Sequence, residues 1–289
     1  MYVRDYSWAA GGFYPTNPKK AEDMISMCME GPVKRLEGVK RLMGAVTPHA
    51  GWVYSGPTAG KVFKALKEYS NPSLVICFGA VHVHGVRRAT ILPEGEWRTP
   101  LGNIPIDEKT ARAIMDLLGD EVAVSSNPHE EEHSLEVIMP FLKKVFPDAG
   151  IVPIMVPPDR NAAVLGRKIG GIISKSSDAM VIGSSDMTHY GVRFGFTPAG
   201  VGPAAVKWVK EVNDRKLIEL MAGMRADDTV NEATRSQSAC GAGAIAATIA
   251  ATGEMGAKKG YLIEQTTSYD VSPRDGADTF VGYAGVVFG

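Results

Sequence analysis

Three cysteines in 289 residues, Cys28, Cys77 and Cys240, are too few and too far apart for a disulfide framework, and their number is odd. They read as thiols of a reducing compartment. A basic excess is also missing. Lys and Arg number 31 against 32 Asp and Glu, a net charge of −1, which leaves no general footprint for nucleic acid. No window approaches the roughly 20 uninterrupted apolar residues of a membrane helix. The N-terminal MYVRDYSWAAGGFYP has no apolar run long enough for the core of a signal peptide. A cytoplasmic protein with neither nucleic-acid nor membrane partners is therefore expected. No GxxxxGK[ST] phosphate loop and no GxSxG nucleophile elbow is present, and the Gly241 and Gly243 pair lacks the spacing and preceding strand of a dinucleotide fingerprint. Nucleotide chemistry and serine hydrolysis become minor alternatives. Repeats, low-complexity tracts and Pro/Ser-rich linkers are absent too, so one domain spanning 1–289 is expected.

What is present is the composition of an ordinary globular chain, 45% hydrophobic and 22% charged. At this length roughly three quarters of the unfolded surface can be buried, so the core needs no metal or disulfide to hold it. Apolar runs at 42–47 (LMGAVT), 74–79 (LVICFG), 151–156 (IVPIMV) and 179–183 (AMVIG) read as buried strands. Between them lie stripes at helical spacing: Ala21, Met24, Ile25 and Cys28; Ala59, Val62, Phe63 and Leu66; Ala111, Ile114, Met115 and Leu118, after a capping Asp107. Two more follow, from Leu135 through Phe146 up to Pro147, and from Val164 to Ile172. Strands at 261–267 and 279–288 are expected to pair antiparallel. The pattern predicts an α/β fold with a mostly parallel or mixed central sheet and helices on both faces. Cys28 and Cys77 fall within these elements as small core residues. The small-residue helix after Cys240 suits close packing on the sheet.

Histidines carry the strongest positional signal. His49 follows the 42–47 strand, His82 and His84 follow 74–79, and His189 follows 179–183, three residues beyond Asp186. In open α/β sheets ligands bind at the carboxyl ends of strands. Three strands thus deliver imidazoles to one sheet edge. Imidazoles with a carboxylate or thiolate form open metal sites for iron, copper, zinc or nickel. Asp186 is the nearest carboxylate by sequence, and Cys240 is a candidate thiolate at a loop-to-helix junction, where the helix dipole favours the ionised sulfur. A histidine outside the metal shell serves as an acid–base group. Bland readings stand beside these: His49 shaping a turn, His84 solvated in a loop, Cys240 merely packing well. HEEEH at 129–133 fits the zinc-protease pattern HExxH, with Glu130 in the general base's place. That reading requires both histidines in one continuous helix. Pro128 puts His129 at a helix start, where acids are expected from the dipole alone, and Ser134 and Glu136 suit a helix beginning near His133.

Seven ordered segments resemble the Memo family, known in prokaryotes as protein B of the AmmeMemoRadiSam system. They are AGGFYP at 10–15, PHAGWVYSG at 48–56, FGAVHVHG at 78–85, RTPLG at 98–102, EHSLE at 132–136, SSDMTHYG at 184–191 and CGAGAI at 240–245. The resemblance spans nearly the whole chain. It implies the fold of class III extradiol ring-cleavage dioxygenases, which use non-haem ferrous iron. It also implies a metal held by His49, His82 and Cys240, the cysteine standing where the dioxygenases have a carboxylate. Asp186 and His189 fall on catalytic positions, His189 as the acid–base histidine, while Phe13, Tyr54 and His133 fall in the pocket. With a thiolate among the ligands the set differs from the 2-His-1-carboxylate triad, so copper joins iron, with zinc a further candidate, and ring cleavage does not transfer with the fold. The expected function is a metal-dependent redox or oxygenase-like protein. The alternatives are a non-catalytic module binding a peptide or partner and a zinc-type hydrolase. A small molecule or peptide, and radical SAM and AMMECR-type proteins, are the partners the resemblance implies.

Overall fold

Four continuously apolar runs lie side by side in the computed structural model, which describes residues 2–7, 12–33, 35–273 and 277–289. In chain order the strands are β1 (Val3–Arg4), β2 (Gly44–Thr47), β3 (Leu74–Gly79), β4 (Ala89–Ile91), β5 (Glu96–Trp97), β6 (Ile104–Pro105), β7 (Val122–Val124), β8 (Gly150–Met155), β9 (Ala179–Ser184), β10 (His189–Gly191), β11 (Gly260–Thr267) and β12 (Thr279–Phe288). The main sheet runs β10-β12-β2-β9-β3-β8-β4-β7, with β11 also on β12, and β1, β5 and β6 form a small separate sheet. Strands β2, β9, β3 and β8 are parallel; β12 joins β2, and β4 joins β8, in the antiparallel sense. The sheet is mixed, and β11 pairs antiparallel with β12, as expected.

Side chains of the parallel strands alternate between two cores. Val46, Ile76, Phe78, Val152, Ile154 and Val181 enter one; Ala45, Val75, Cys77, Ile151, Met180 and Ile182 enter the other. The first core is closed by helices Ala162–Ile173 and Ala242–Glu254, the second by helix Trp52–Tyr69. Helices therefore cover both faces, as in the class III extradiol dioxygenase-like fold. The small-residue helix after Cys240 is buried along almost its whole length. A Cβ on Gly166 would sit 2.3 Å from the Ala247 carbonyl, so glycine alone permits this approach of the two helices. Cys28 and Cys77 are buried in the second core.

Two expectations need correction. The stripe from Leu135 to Phe146 is not one helix but two, His133–Glu136 and Met139–Val145. Pro140 has no N–H to offer the Glu136 carbonyl, and the Trp52 indole N–H bonds the Val137 carbonyl in the break at 2.9 Å. Helices Pro203–Trp208, Asp214–Ala222 and Ala226–Ser236 form in a stretch that carried no assigned stripe. Among the described residues no helix is long and apolar enough to cross a membrane.

Candidate metal centre

Strands β2, β3 and β9 of the parallel core end against the same space. At the end of β2, Pro48 turns the chain and His49 is buried at 1% exposure, just ahead of helix Trp52–Tyr69. That helix has no side-chain cap of its own. Asp186, in the loop after β9, reaches it instead: its Oδ1 accepts the backbone N–H of His49 at 2.8 Å and of Ala50 at 3.3 Å. The buried carboxylate thus lies at the positive end of a helix and fixes the His49 backbone.

Hydrogen bonds behind the rings set the tautomers. Ser184, the last residue of β9, donates its hydroxyl proton to the Ser134 carbonyl at 2.7 Å. Its oxygen must then accept from His49 Nδ1–H, 2.8 Å away, which turns His49 Nε2 inward toward Cys240. His82 is held likewise. Glu132 Oε1 accepts its Nδ1–H at 2.8 Å and Oε2 accepts its backbone N–H at 2.6 Å. A carboxylate behind an imidazole is the usual support of a metal-ligating histidine. Burial favours the neutral acid, but the His82 bonds outweigh it and hold Glu132 down at about 2.

One ring nitrogen each of His49, His82 and His133 lies within 4.8 Å of the others. The rings of His82 and His133 stack at 4.6 Å between centroids, and both stand edge-on to His49 at 5.3 Å. His133, read from the sequence as a pocket residue, therefore has the geometry of a third imidazole donor. Burial and the neighbouring His49 and His82 push it down to about 3, so it is neutral.

Cys240 lies beside the cluster. Its Sγ lies 3.3 Å from His49 Nε2, and its N–H donates to the Asp186 carbonyl at 3.3 Å. Gly241 N–H donates to Ser185 Oγ at 2.9 Å. A Cβ at Gly241 would fall 2.5 Å from the Ser184 carbonyl oxygen, so only glycine lets the thiol-bearing turn sit against the end of β9. Burial pushes the thiol up, but His49, His189 and His82 around it outweigh this and hold it well below the ordinary range. Burial disfavours the His82 cation, yet Cys240 and Glu132 push that ring up to about 10. In the metal-free protein these charges favour a thiolate at Cys240 and a proton on the imidazoles facing it, except His133; a metal ion at the cluster would take the place of that proton.

His189 stands at the other side of Asp186, its Nε2 4.0 Å from Oδ2. Burial opposes its cation as well; Cys240 and Asp186 raise it above the ordinary value. His189, Asp186 and His133 share a cleft of about 710 Å³ with Phe13, Tyr54 and Phe194. Phe13 lies 5.2 Å from the His133 ring and Phe194 lies 5.0 Å from His189. The first two residues of the Ala10–Pro15 motif lie outside the described residues. His84 is exposed in its loop.

The zinc-protease alternative fails on backbone geometry. Helices Asn127–Glu131 and His133–Glu136 are separated at Glu132, which is extended at φ −90° and ψ 127°. His129 points into the interior, with Nε2 3.0 Å from the Thr90 carbonyl, and burial pushes it down to about 4. Glu132 as the support of His82 is not legible in the sequence, because three consecutive acids read equally well as a helix-dipole effect. The buried ion pair of Arg4 and Glu136, at 2.6 Å, joins residues 132 positions apart and is a contact that no local pattern encodes.

A mixed α/β sheet with three imidazoles gathered at the ends of its parallel strands and a thiol beside them defines a class of proteins with a candidate metal centre at the sheet edge. The model of the family described as Memo-like protein matches residues 6–287. A MEMO1 family protein of Pyrococcus horikoshii is 33% identical over 99% of both chains, and one of Methanopyrus kandleri is 34% identical over 96% of both. The chain belongs to the Memo family. A crystal structure of an uncharacterized Escherichia coli K12 protein aligns with TM-score 0.54 at 12% identity, covering 86% of this chain and all of the other, which shows the fold alone.

Proposed function

We propose that this Memo-family chain binds a non-haem metal ion, iron or copper, through His49, His82 and His133 with Cys240 beside them, and that it is redox-active or oxygenase-like. The observation that carries this is the tautomer arrangement: Ser184 and Glu132 occupy the outer nitrogens of His49 and His82, which leaves their Nε2 lone pairs for the cluster. Three nitrogens and a sulfur suit iron, copper and zinc by donor chemistry, and the sulfur favours a softer ion. Bound there, such an ion supplies one-electron steps and Lewis acidity. The chain's own residues do the rest. Asp186 keeps His49 in position through its backbone. His189, on the cleft wall, takes or returns a proton at its Nε2. Phe13, Tyr54 and Phe194 hold an apolar portion of a small molecule or peptide and exclude water beside the cluster.

Metal analysis of protein purified without chelators, set against His49→Ala, His133→Ala and Cys240→Ser, tests the reading. Iron or copper in the parent, with loss in the histidine variants, is expected. Equal metal content in all four would refute it. Zinc as the only retained metal, with hydrolysis and no oxygen consumption, would turn the reading to a zinc-type hydrolase. Peptide binding unchanged by chelation would turn it to a binding module.

A further inference from the structure

The segment that carries Glu132 and His133 is held by a residue more than 120 positions away. Arg4 on β1 is fully buried and spends its guanidinium on three acceptors: Nε to the His129 carbonyl at 2.9 Å, one terminal nitrogen to the Glu132 carbonyl at 3.0 Å, and the other to Glu136 Oε2 at 2.6 Å. Its plane lies over the Trp97 ring at 4.4 Å. Glu136 in turn accepts the Ser7 N–H at 3.2 Å and the Tyr14 hydroxyl at 3.2 Å. Tyr2 and Ser7 bond Glu130 from the same segment, at 2.9 and 3.1 Å. The chain between residues 2 and 7 therefore lies as a strap along 129–136.

Its target is the helix break. Where Glu132 leaves helical geometry, the His129 carbonyl lies past the last N–H bonded within the first helix, and the Glu132 carbonyl opens the next one. Arg4 donates to both carbonyls from one rigid planar fork. The same break turns the Glu132 carboxylate toward His82 and starts the helix that presents His133. We propose that Arg4 is a positioning residue for two of the three imidazoles, and that the N-terminal strap sets the affinity and geometry of the centre through it. The inference rests on the metal-binding reading above only for its metal readout.

Arg4→Lys tests it, because lysine retains a charge for Glu136 but cannot bond both carbonyls. Cobalt(II) serves as the probe metal. The expected result is a variant with the parent's circular dichroism that binds cobalt roughly ten- to a hundredfold more weakly, with an altered visible d–d band. In the metal-free state, ring NMR signals of His82 and His133 shift while that of His84 stays. Unchanged affinity, band and ring signals would overturn the proposal, whatever happens to thermal stability. Should Arg4→Lys fail to fold, Arg4→Met with Glu136→Leu removes both buried charges together and is read in the same way. If the parent binds no cobalt, zinc, iron or copper, the metal-binding reading falls. The ring signals of the metal-free proteins then decide the role of Arg4: shifts at His82 and His133 support it, and unshifted rings refute it.

Discussion

Replacing Glu132 by Gln tests the support of His82 directly. The residue is 1% exposed, so solvent cannot substitute for lost contacts. Oε1 accepts two N–H groups, from the His82 ring at 2.8 Å and from Ser134 at 2.8 Å, and Oε2 accepts one, from the His82 backbone at 2.6 Å. Glutamine keeps its oxygen where two donors point. Its NH2 then faces the His82 N–H, donor against donor. One charge-assisted bond is lost, worth about 1.5–3 kcal/mol, and the remaining bonds lose their charge. Loss of the supporting carboxylate lowers metal affinity by roughly 10–100-fold, which corresponds to about 1.4–2.8 kcal/mol. The metal-free protein gives a second reading by pH. Glu132 is held at about 2 against an ordinary 4.5, so its stabilisation is full above pH 4.5 and fades as pH falls through 2. His82 is raised to about 10 from 6.5, so its part is full below pH 6.5 and fades as pH rises through 10. The stability difference between parent and Glu132→Gln is therefore largest between about pH 4.5 and 6.5. Urea unfolding across pH and cobalt titration measure both effects. A difference constant over pH 3–9, or an unchanged affinity, would refute the assignment.

Asp214 offers an independent check behind the His189 loop. Its Oδ1 accepts from the Thr188 N–H and hydroxyl, its Oδ2 has no hydrogen-bond partner, and burial pushes it up to about 7 from an ordinary 3.8. The folded state thus favours the protonated acid, an advantage present below pH 3.8 and lost as pH rises through 7, up to about 4 kcal/mol in all. Asp214→Asn keeps the accepting oxygen and should gain stability relative to the parent between pH 5 and pH 8; equal differences at both would count against it. Cys240, lowered by its histidines, should react with iodoacetamide at pH 6 in chelator-treated protein well before Cys28 and Cys77, whose buried thiols are raised. Mass spectrometry of the modified peptides reads the order, and simultaneous labelling of all three would contradict the electrostatics.

Much of the fold was legible because it is written in local patterns. The runs containing Val75, Cys77, Val152 and Ile182 are continuously apolar since they are covered on both faces, and strands placed at 74–79 and 179–183 match β3 and β9 closely. Strands of two or three residues, such as β1 and β10, carry too little periodicity to be read. The break at Val137 and Ile138 was hidden by a stripe that continues across it. At the site, His49, His82 and His189 were visible by their distance from strand ends, and Cys240 by its place before a glycine-rich helix. His133 was visible only as part of a motif, since its nearness to His82 depends on the extended backbone at Glu132.

By itself the sequence determined which residues are apolar, at what period, and which chemically able side chains follow each strand. That settles the layers and the edge of the sheet where a site can form, because burial and hydrogen bonding along a strand or helix are local demands. Only the tertiary structure decided which nitrogen each imidazole turns inward, that a third histidine joins the other two, and that an arginine at the start of the chain braces them. Those choices belong to contacts between segments 50 to 190 residues apart, whose directions no periodicity encodes.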